Sequence, residues 1–341
     1  MKGNYFDLVF VTNIPAFYKI KLFNEISKHK RILVVYVGYS REIRNLDFFS
    51  NSNEYQSVNL TGNIFKKLIQ IALILYRNQF KEIIIGGWDS VVNWYTLFFS
   101  RNVTKSVVVE SSCFESDVRG LKSLFKRIFL SRIDKAYVPG ISNERLLRFL
   151  GYDGRIIKTL GVGIFNIQLQ KPYESRNEVK KFLYVGRLAK EKNIDTLISV
   201  FNKNPKLELN IVGFGPEEKK LKDMACENIK FLGPIDNACL YNIYQNNDVF
   251  ILPSIKEPWG LVVEEALNNG LPIIVSENVG CAEELINSSN GLVFNPYDIN
   301  SLQECVNKML NIDYYNQLRF NISKLDFQKI AAQQVQSYIS K

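Results

Sequence analysis

Short apolar segments rich in β-branched residues alternate with amphipathic segments along the chain, and this alternation constrains the fold most. A second series of the same kind begins at Lys181. Strands that alternate with helices form parallel sheets covered by helices on both faces, so the sequence predicts an α/β protein. In the first half we predict strands over residues 7–12, 31–37, 82–87, 105–110 and 135–140, and helices over residues 17–28 and 142–150.

The length of the chain indicates two domains. Its 341 residues exceed one typical compact core, and its fractions of 46% apolar and 23% charged residues are typical of globular proteins. A polar, proline-containing stretch over residues 168–179 separates the two series. We therefore predict an N-terminal domain over residues 1–165 and a C-terminal domain over residues 175–322.

Positive charge is concentrated in the first half of the chain. Residues 1–160 contain 24 Lys and Arg against 13 Asp and Glu, a balance of +11, and the remainder has 19 against 21, a balance of −2. A basic surface interleaved with aromatic residues favours an anionic membrane or an anionic acceptor. No nucleic-acid-binding motif accompanies the charge, so nucleic acid is not expected as a partner. The alternative is that these charges are ordinary solvated helix faces.

The cysteines and the N-terminal residues bear on the compartment. The five cysteines form no Cys-x-x-Cys pair, and their odd number favours free thiols in a reducing compartment. Asp7 interrupts a short apolar run near the N-terminus, which does not fit a signal peptide. No apolar run approaches the roughly 20 residues that span a bilayer. These features predict a cytoplasmic protein.

Ligands of open α/β sheets bind beyond the carboxyl ends of the strands, so each predicted strand end is a candidate site. In the first domain, Gly87 permits a close backbone approach to a ligand, but it equally fits a simple turn. Glu110 ends another predicted strand and is either a ligand-contacting carboxylate or a structural one. The single histidine, His29, lies at a predicted solvated helix end and is not a candidate.

Basic residues and glycines follow the predicted strands of the second domain. Arg187 ends one strand, and Lys192 lies five residues later, near the start of a helix that we predict over residues 194–202. A guanidinium and an ammonium together neutralise a diphosphate. Gly213 and Gly215 form a Gly-x-Gly pair that lacks the third glycine of a dinucleotide-binding fingerprint.

Glu257 and Glu265 are separated by seven residues in a mostly apolar stretch. A helix is predicted to begin near Gly260, which places Leu261 and Glu265 on one helix face and Glu257 in the preceding loop. A helix N-terminus binds phosphate, and ionised carboxylates accept hydrogen bonds from hydroxyls. The stretch therefore predicts a ligand that carries both groups; the alternative is an acidic helix start that serves only the dipole.

Four ordered segments resemble the retaining glycosyltransferases of the GT-B fold, specifically family four, the glycosyl transferases group 1 of bacterial polysaccharide and lipopolysaccharide assembly. The segments cover roughly residues 180–300. In the segment at residues 186–193, Asn193 stands where the family usually has a glycine. The matching segments are the Glu-x7-Glu run that continues to Gly270-x-Pro272, the Gly-Arg-Leu…Glu-Lys-Asn run at residues 186–193, the Gly-x-Gly-Pro loop at 213–216 and the strand at 229–233.

This resemblance implies two Rossmann-like domains that face a central cleft, with a final helix, about residues 323–341, packing back on the N-terminal domain. It implies that Glu257 contacts the donor sugar and Glu265 the ribose hydroxyls. Glu110 stands where many relatives carry a histidine that touches the donor sugar, so we predict Glu257 and Glu110 as catalytic residues. The predicted donor-binding set is Gly87, Arg187, Lys192, Gly213, Gly215, Gly260, Leu261 and Glu265.

The implied function is retaining transfer of a sugar from a nucleotide-diphosphate sugar to a saccharide acceptor. The acceptors that are common in the family it resembles, together with the basic first domain, favour a lipid-linked acceptor in bacterial surface polysaccharide biosynthesis. They place the enzyme as a peripheral protein on the inner face of the plasma membrane.

No metal is expected, because the chain has no Asp-x-Asp motif and no His or Cys cluster. No cofactor is expected besides the nucleotide-diphosphate sugar itself. A two-carboxylate glycosidase would not need the basic pair. Two other functions stay open. A nucleotide-sugar epimerase of this fold uses several histidines, whereas this chain has one. A non-catalytic sugar-nucleotide-binding partner protein would lose donor motifs that are present here.

Overall fold

The computed structural model describes residues 4–38, 52–116, 119–169 and 172–340. It divides into two compact units. Unit 1 comprises residues 1–164 and 329–341, and unit 2 comprises residues 165–328. Among the described residues, no helix combines the length and the apolar character that crossing a membrane requires.

Unit 1 is built on one parallel sheet. In its described part the strands are β1 (Tyr5–Thr12), β2 (Ile32–Tyr36), β3 (Gln56–Asn59), β4 (Gln79–Ile85), β5 (Thr104–Val108), β6 (Lys135–Val138) and β7 (Arg155–Lys158). Their order in the sheet is β3-β2-β1-β4-β5-β6-β7, and every pair is parallel. The strand order changes direction between β1 and β4, which makes this junction a topological switch point.

Helices cover both faces of this sheet, because consecutive side chains of a strand point to opposite faces. On one face, Phe10 contacts the rings of Phe23 and Tyr338. On the other, Val9 and Val11 join the buried residues of the remaining helices in one cluster. The helices are α1 (Phe17–Ser27), α2 (Ile64–Arg77), α3 (Val91–Phe99), α4 (Gly120–Leu130), α5 (Ile141–Phe149) and the C-terminal α13 (Phe327–Ile339).

Unit 2 repeats this architecture with a six-stranded parallel sheet. Its strands are β8 (Lys181–Val185), β9 (Glu208–Val212), β10 (Ile229–Gly233), β11 (Val249–Leu252), β12 (Ile273–Ser276) and β13 (Gly291–Phe294). Their order is β10-β9-β8-β11-β12-β13, with the switch point between β8 and β11. The helices are α6 (Ile194–Asn202), α7 (Glu218–Met224), α8 (Asn237–Gln245), α9 (Leu261–Asn268), α10 (Ala282–Leu285), α11 (Ile299–Met309) and α12 (Ile312–Ile322).

The predicted α/β class and the two Rossmann-like domains are confirmed, whereas helices α2, α3 and α4 of unit 1 were not predicted. The strands β3 and β7 were not predicted, because each is a four-residue edge strand; β3 is exposed throughout, and β7 has only two half-buried isoleucines between Arg155 and Lys158. The final helix begins at Phe327 and not near residue 323, because residues 323–326 connect it to α12. Its residues from Lys329 onward belong to unit 1.

Candidate functional site

The loops after β8 and β11 meet at the switch point of unit 2. After β8 the chain forms a short 3₁₀ turn, Lys190–Lys192, and Asn193 then adopts a left-handed conformation with φ 56° before α6 begins. Asparagine tolerates this conformation better than most residues, which explains how Asn193 replaces the family's glycine. The carbonyl of Glu191 accepts the backbone N–H of Ile255, 2.9 Å away, and this bond ties the two loops together.

Lys192 and Glu257 form an ion pair across these two loops. The Lys192 ammonium lies 2.5 Å from one carboxylate oxygen of Glu257, and both side chains are more than four-fifths buried. Glu257 is further fixed by its backbone, which bridges to Val279 and accepts a hydrogen bond from Gly280 N–H at 3.0 Å. Burial from water strengthens such a charge-assisted hydrogen bond. The structure therefore brings two of the predicted site residues into direct contact.

Arg187 lies on the same loop and is paired with Glu191. Its guanidinium donates to the Glu191 carboxylate, and both side chains keep about a third of their surface exposed. Burial alone would raise the pKa of the Glu191 carboxyl, but its own backbone N–H and the Arg187 guanidinium outweigh burial and hold the pKa below its ordinary value. Glu191 is therefore a site carboxylate that was quoted in the motif but not predicted as a functional residue.

Gly213 and Gly215 let the loop after β9 lie directly on the loop after β8. A Cβ atom at Gly213, whose φ is 131°, would lie 1.9 Å from the carbonyl oxygen of Gly186. A Cβ atom at Gly215 would lie 2.3 Å from the carbonyl oxygen of Leu188. The Gly-x-Gly pair thus serves close packing between two loops of the protein, a role that the spacing of the motif does not reveal.

Helix α9 begins at Leu261, four residues after Glu257 of the Lys192–Glu257 pair. Its N-cap, Gly260, has φ 99° and ψ 57°, a left-handed conformation that favours glycine. Leu261 is half-buried as the first helical residue, and Glu265 is 9% exposed one turn later. The Tyr244 hydroxyl of α8 donates to the Glu265 carboxylate at 3.0 Å and orients it. Tyr244 had no signal in the sequence, because α8 and α9 meet only in the folded unit.

Glu264 precedes Glu265 in α9 but points into the core and is 2% exposed. Burial raises the pKa of Glu264 to about 8; the Trp259 indole opposes the shift, and the Glu265 carboxylate adds to it. A carboxyl that is neutral near neutral pH does not serve a helix dipole. The alternative of an acidic helix start that serves only the dipole therefore does not hold at Glu264.

Glu110 and Gly87 lie in unit 1, apart from the other predicted residues in the chain. Glu110 follows β5, and its carboxylate is 2.7 Å from the Lys19 ammonium of α1. Both residues border a cavity of about 30 Å³ together with Tyr338. Gly87 follows β4 with φ 85°, and its carbonyl accepts the Asn93 side-chain amide at 3.0 Å. Lys19 was not among the predicted site residues, and the structure makes it the partner of Glu110.

The described residues contain no group of three or more His, Cys, Asp or Glu side chains that would hold a metal ion. The basic groups at the switch point of unit 2 are Arg187 and Lys192, each paired with a carboxylate, and the N-terminus of α9 adds its dipole.

Residues 166–324 match the protein family described as Glycosyl transferases group 1. The chain is also similar to the O-antigen biosynthesis glycosyltransferase WbnH of Escherichia coli, with 39% identity over 120 residues, which are 35% of this chain and 34% of that protein. The chain spans less than half the length of the curated relatives it matches.

Solved structures of similar fold cover nearly the whole chain. The sucrose-phosphate synthase of Thermosynechococcus elongatus superimposes with a TM-score of 0.75 at 18% identity, over 97% of this chain and 98% of that one. The Anabaena protein Alr3699/HepE, in complex with UDP and glucose, does so with a TM-score of 0.71 at 15% identity, over 98% and 100%. The chain thus has the GT-B fold, and its residues 166–324 match the glycosyl transferases group 1 family.

Proposed function

We propose that this protein is a retaining, metal-independent glycosyltransferase that moves a sugar from a nucleotide-diphosphate sugar to a saccharide acceptor. The observation that carries the proposal is the Lys192–Glu257 ion pair at the switch point of unit 2, with Arg187 on the same loop and the N-terminus of α9 following Glu257. Ligands of doubly wound sheets bind at such switch points. The match to the glycosyltransferase family supports the same reaction class.

Each charged residue has a part in this proposal. Arg187 and Lys192 neutralise the diphosphate and stabilise it as a leaving group, together with the N–H groups at the start of α9. Glu257 accepts hydrogen bonds from the donor-sugar hydroxyls, and its contact with Lys192 holds the carboxylate in place. Glu265 accepts the ribose hydroxyls, with its orientation fixed by Tyr244.

The bond between the anomeric carbon and the diphosphate oxygen breaks. A new bond forms between the acceptor hydroxyl oxygen and the anomeric carbon, on the face of the sugar that the diphosphate leaves. The hydroxyl proton passes to the departing diphosphate. No side chain is required as a covalent nucleophile in this scheme. We propose metal independence because two cationic side chains and a helix N-terminus are available to bind the diphosphate in this scheme.

We extend the proposal to the acceptor. A lipid-linked saccharide fits the charge of unit 1, whose residues 1–160 carry a balance of +11 and would attract the enzyme to an anionic membrane. The similarity to an O-antigen biosynthesis enzyme supports surface polysaccharide assembly as the setting. Glu110, held by Lys19, is the unit 1 carboxylate that we propose to contact the reacting sugar.

A thermal-shift panel of nucleotide sugars tests the donor proposal first. A structure of similar fold contains UDP and glucose, so UDP-sugars lead the panel, with GDP-sugars as the second group. A ligand at 100 times its Kd stabilises the protein by about 2.7 kcal/mol, which is readily measured. Stabilisation that is lost in Glu265→Ala but kept in Glu277→Ala, an exposed carboxylate of the same unit, supports the site. A panel without any stabilising nucleotide sugar would contradict it.

A further inference from the structure

Three neighbouring helices of unit 1 expose large apolar side chains to solvent. Helices α2, α3 and α4 follow β3, β4 and β5, and their buried residues join one core cluster, which places them in one layer on the same face of the sheet. Helix α2 contacts α3, and the Trp94 ring of α3 lies 6.5 Å from the Phe125 ring of α4. The outward sides of these helices therefore form one surface, here called the α2–α4 face.

The exposed apolar residues follow helical periodicity. In α2, Phe65, Ile69 and Leu73 recur every four residues, and in α4 Leu121, Leu124, Phe125 and Ile128 lie at spacings of three and four, so each set occupies one stripe. Phe65 is 74% exposed and Leu121 77%. The full set on the three helices is Ile64, Phe65, Ile69, Leu73, Tyr76, Val91, Phe98, Phe99, Leu121, Leu124, Phe125 and Ile128. These twelve are more than half of the 22 exposed large apolar residues in the described chain, although the three helices hold a tenth of it.

The charge of the α2–α4 face is of one sign. The sequences of α2, α3 and α4 contain no Asp or Glu, whereas α2 and α4 together carry six Lys and Arg. Lys66 and Lys122 are exposed beside the apolar stripes, and the Arg132 guanidinium lies 4.6 Å from the ring centre of Phe98. Lys67 and Lys126 are less available, because Lys67 donates to the carbonyl of Val37 and Lys126 contacts Ser116 and the Trp88 ring.

We infer that the α2–α4 face docks on an anionic lipid bilayer by inserting its apolar side chains among the acyl chains, while its lysines and arginines contact lipid headgroups. This inference rests on the proposed membrane-linked function and adds a hydrophobic contact to it. A second copy of the chain does not fit this face, because two such faces would bring only positive charges together. Apolar helix stripes flanked by Lys and Arg are the pattern of helices that lie in the membrane interface.

Apolar insertion has a measurable signature. Charge attraction alone weakens as salt shortens the screening length to about 3 Å at 1 M, whereas buried apolar side chains keep their contribution. We expect the protein to co-sediment with vesicles of phosphatidylcholine and phosphatidylglycerol, and to retain part of that binding in 1 M salt. Protein that binds at low salt but leaves the vesicles completely at 1 M would show a purely electrostatic contact and overturn the inference.

A pair of matched variants separates the two contributions. Phe65→Ser with Phe125→Ser removes one exposed ring from each stripe and should lower vesicle partitioning at high salt at least tenfold. Lys66→Glu with Lys122→Glu should lower binding at low salt and leave the salt-resistant fraction nearly unchanged. Leu310→Ser, at an exposed apolar residue of unit 2, is the control and should bind as the parent does. Circular dichroism of each variant checks folding.

Depth is tested directly with brominated acyl chains, which quench nearby indoles. The parent's own Trp88, Trp94 and Trp259 set the baseline. Phe125→Trp should add quenching to this baseline, and Phe320→Trp, at an exposed residue of α12 in unit 2, should add none. Equal added quenching in both variants, or none in either, would refute insertion by the α2–α4 face. Sedimentation that shows a dimer, abolished by the serine pair, would assign the face to self-association. Sugar transfer to a water-soluble acceptor should be unchanged in the serine pair, so membrane docking and the proposed reaction fail or hold independently.

Discussion

The Lys192 ammonium lies 2.5 Å from the Glu257 carboxylate, which joins the loop after β8 to the loop after β11 at the switch point of unit 2. The pair fixes both groups in orientation before any ligand is present. In the proposed complex Lys192 contacts both the Glu257 carboxylate and the diphosphate. Removal of Lys192 or Glu257 therefore changes the contacts of the side chain that remains.

We expect Glu257→Gln and Lys192→Met each to lower kcat/KM for donor at least tenfold, a loss of about 1.4 kcal/mol of transition-state stabilisation. The two losses should not add in the double variant, because the side chains act as one pair. Steady-state kinetics of the four proteins measures this coupling. Lys190→Met, on the same 3₁₀ turn but exposed, is the control and should behave like the parent. Full activity in both single variants would contradict the site.

Tyr244→Phe should weaken donor binding without removing it. The substitution deletes one hydrogen bond to the Glu265 carboxylate, and a bond to a charged group contributes about 1.5–3 kcal/mol. Glu265→Ala should have the larger effect, with turnover reduced at least tenfold. Calorimetric titration of both variants with the nucleoside diphosphate alone measures these affinities. Unchanged affinity in both would remove Glu265 from the ribose contact.

Transfer should persist in excess EDTA. Arg187, Lys192 and the N-terminus of α9 offset the diphosphate charge in the proposed mechanism, so chelation of divalent ions leaves the reaction intact. The assay compares initial rates with EDTA alone and with added Mg²⁺ or Mn²⁺. A rate that vanishes with EDTA and returns with either ion would show that the reaction needs a metal.

Glu264 should make the protein less stable as pH rises from about 4.5 to about 8. Its pKa is about 8 when folded and ordinary when unfolded, so the unfolded chain releases this proton first. The unfolded state then binds fewer protons, and the free energy of unfolding falls with pH over this window. Glu264→Gln should flatten the fall, raising Tm at pH 8 relative to the parent and changing it little near pH 4.5. Glu277→Gln, at an exposed site, should preserve the parent's pH profile.

Gly213→Ala should destabilise the protein more than Gly233→Ala. Both glycines have positive φ values, 131° and 70°, so each alanine incurs backbone strain of about 1–3 kcal/mol. Only at Gly213 would the new Cβ also meet a backbone oxygen, that of Gly186, at 1.9 Å; at Gly233 nothing lies within 4 Å. Urea unfolding measures the difference. Equal losses of stability in the two variants would show that a Cβ atom at Gly213 does not disturb the packing of the two loops.

Much of the fold was predictable because its signals are local. Buried strands contain apolar runs, residues 8–11 in β1 and all of β11, and helix α6 begins and ends where its periodicity predicts, at Ile194 and Asn202. The edge strand β3 was missed because an exposed strand has no apolar face to mark it, and β7 because two isoleucines are too short an apolar run to indicate a strand. The predicted start of α13 was about four residues too early, because residues 323–326 continue the polar pattern of the helices beside them.

The amino-acid sequence by itself determined the parallel α/β class, the order of the motifs and the identity of the charged groups at the strand ends, because these depend on periodicity and spacing along the chain. Only the tertiary structure decided the partners. It paired Lys192 with Glu257 across 65 residues and Lys19 with Glu110, placed Tyr244 on Glu265, and turned Glu264 into the core while Glu265 beside it meets a tyrosine. Contacts between residues far apart in sequence arise when separate strands join one sheet, and no local pattern records them.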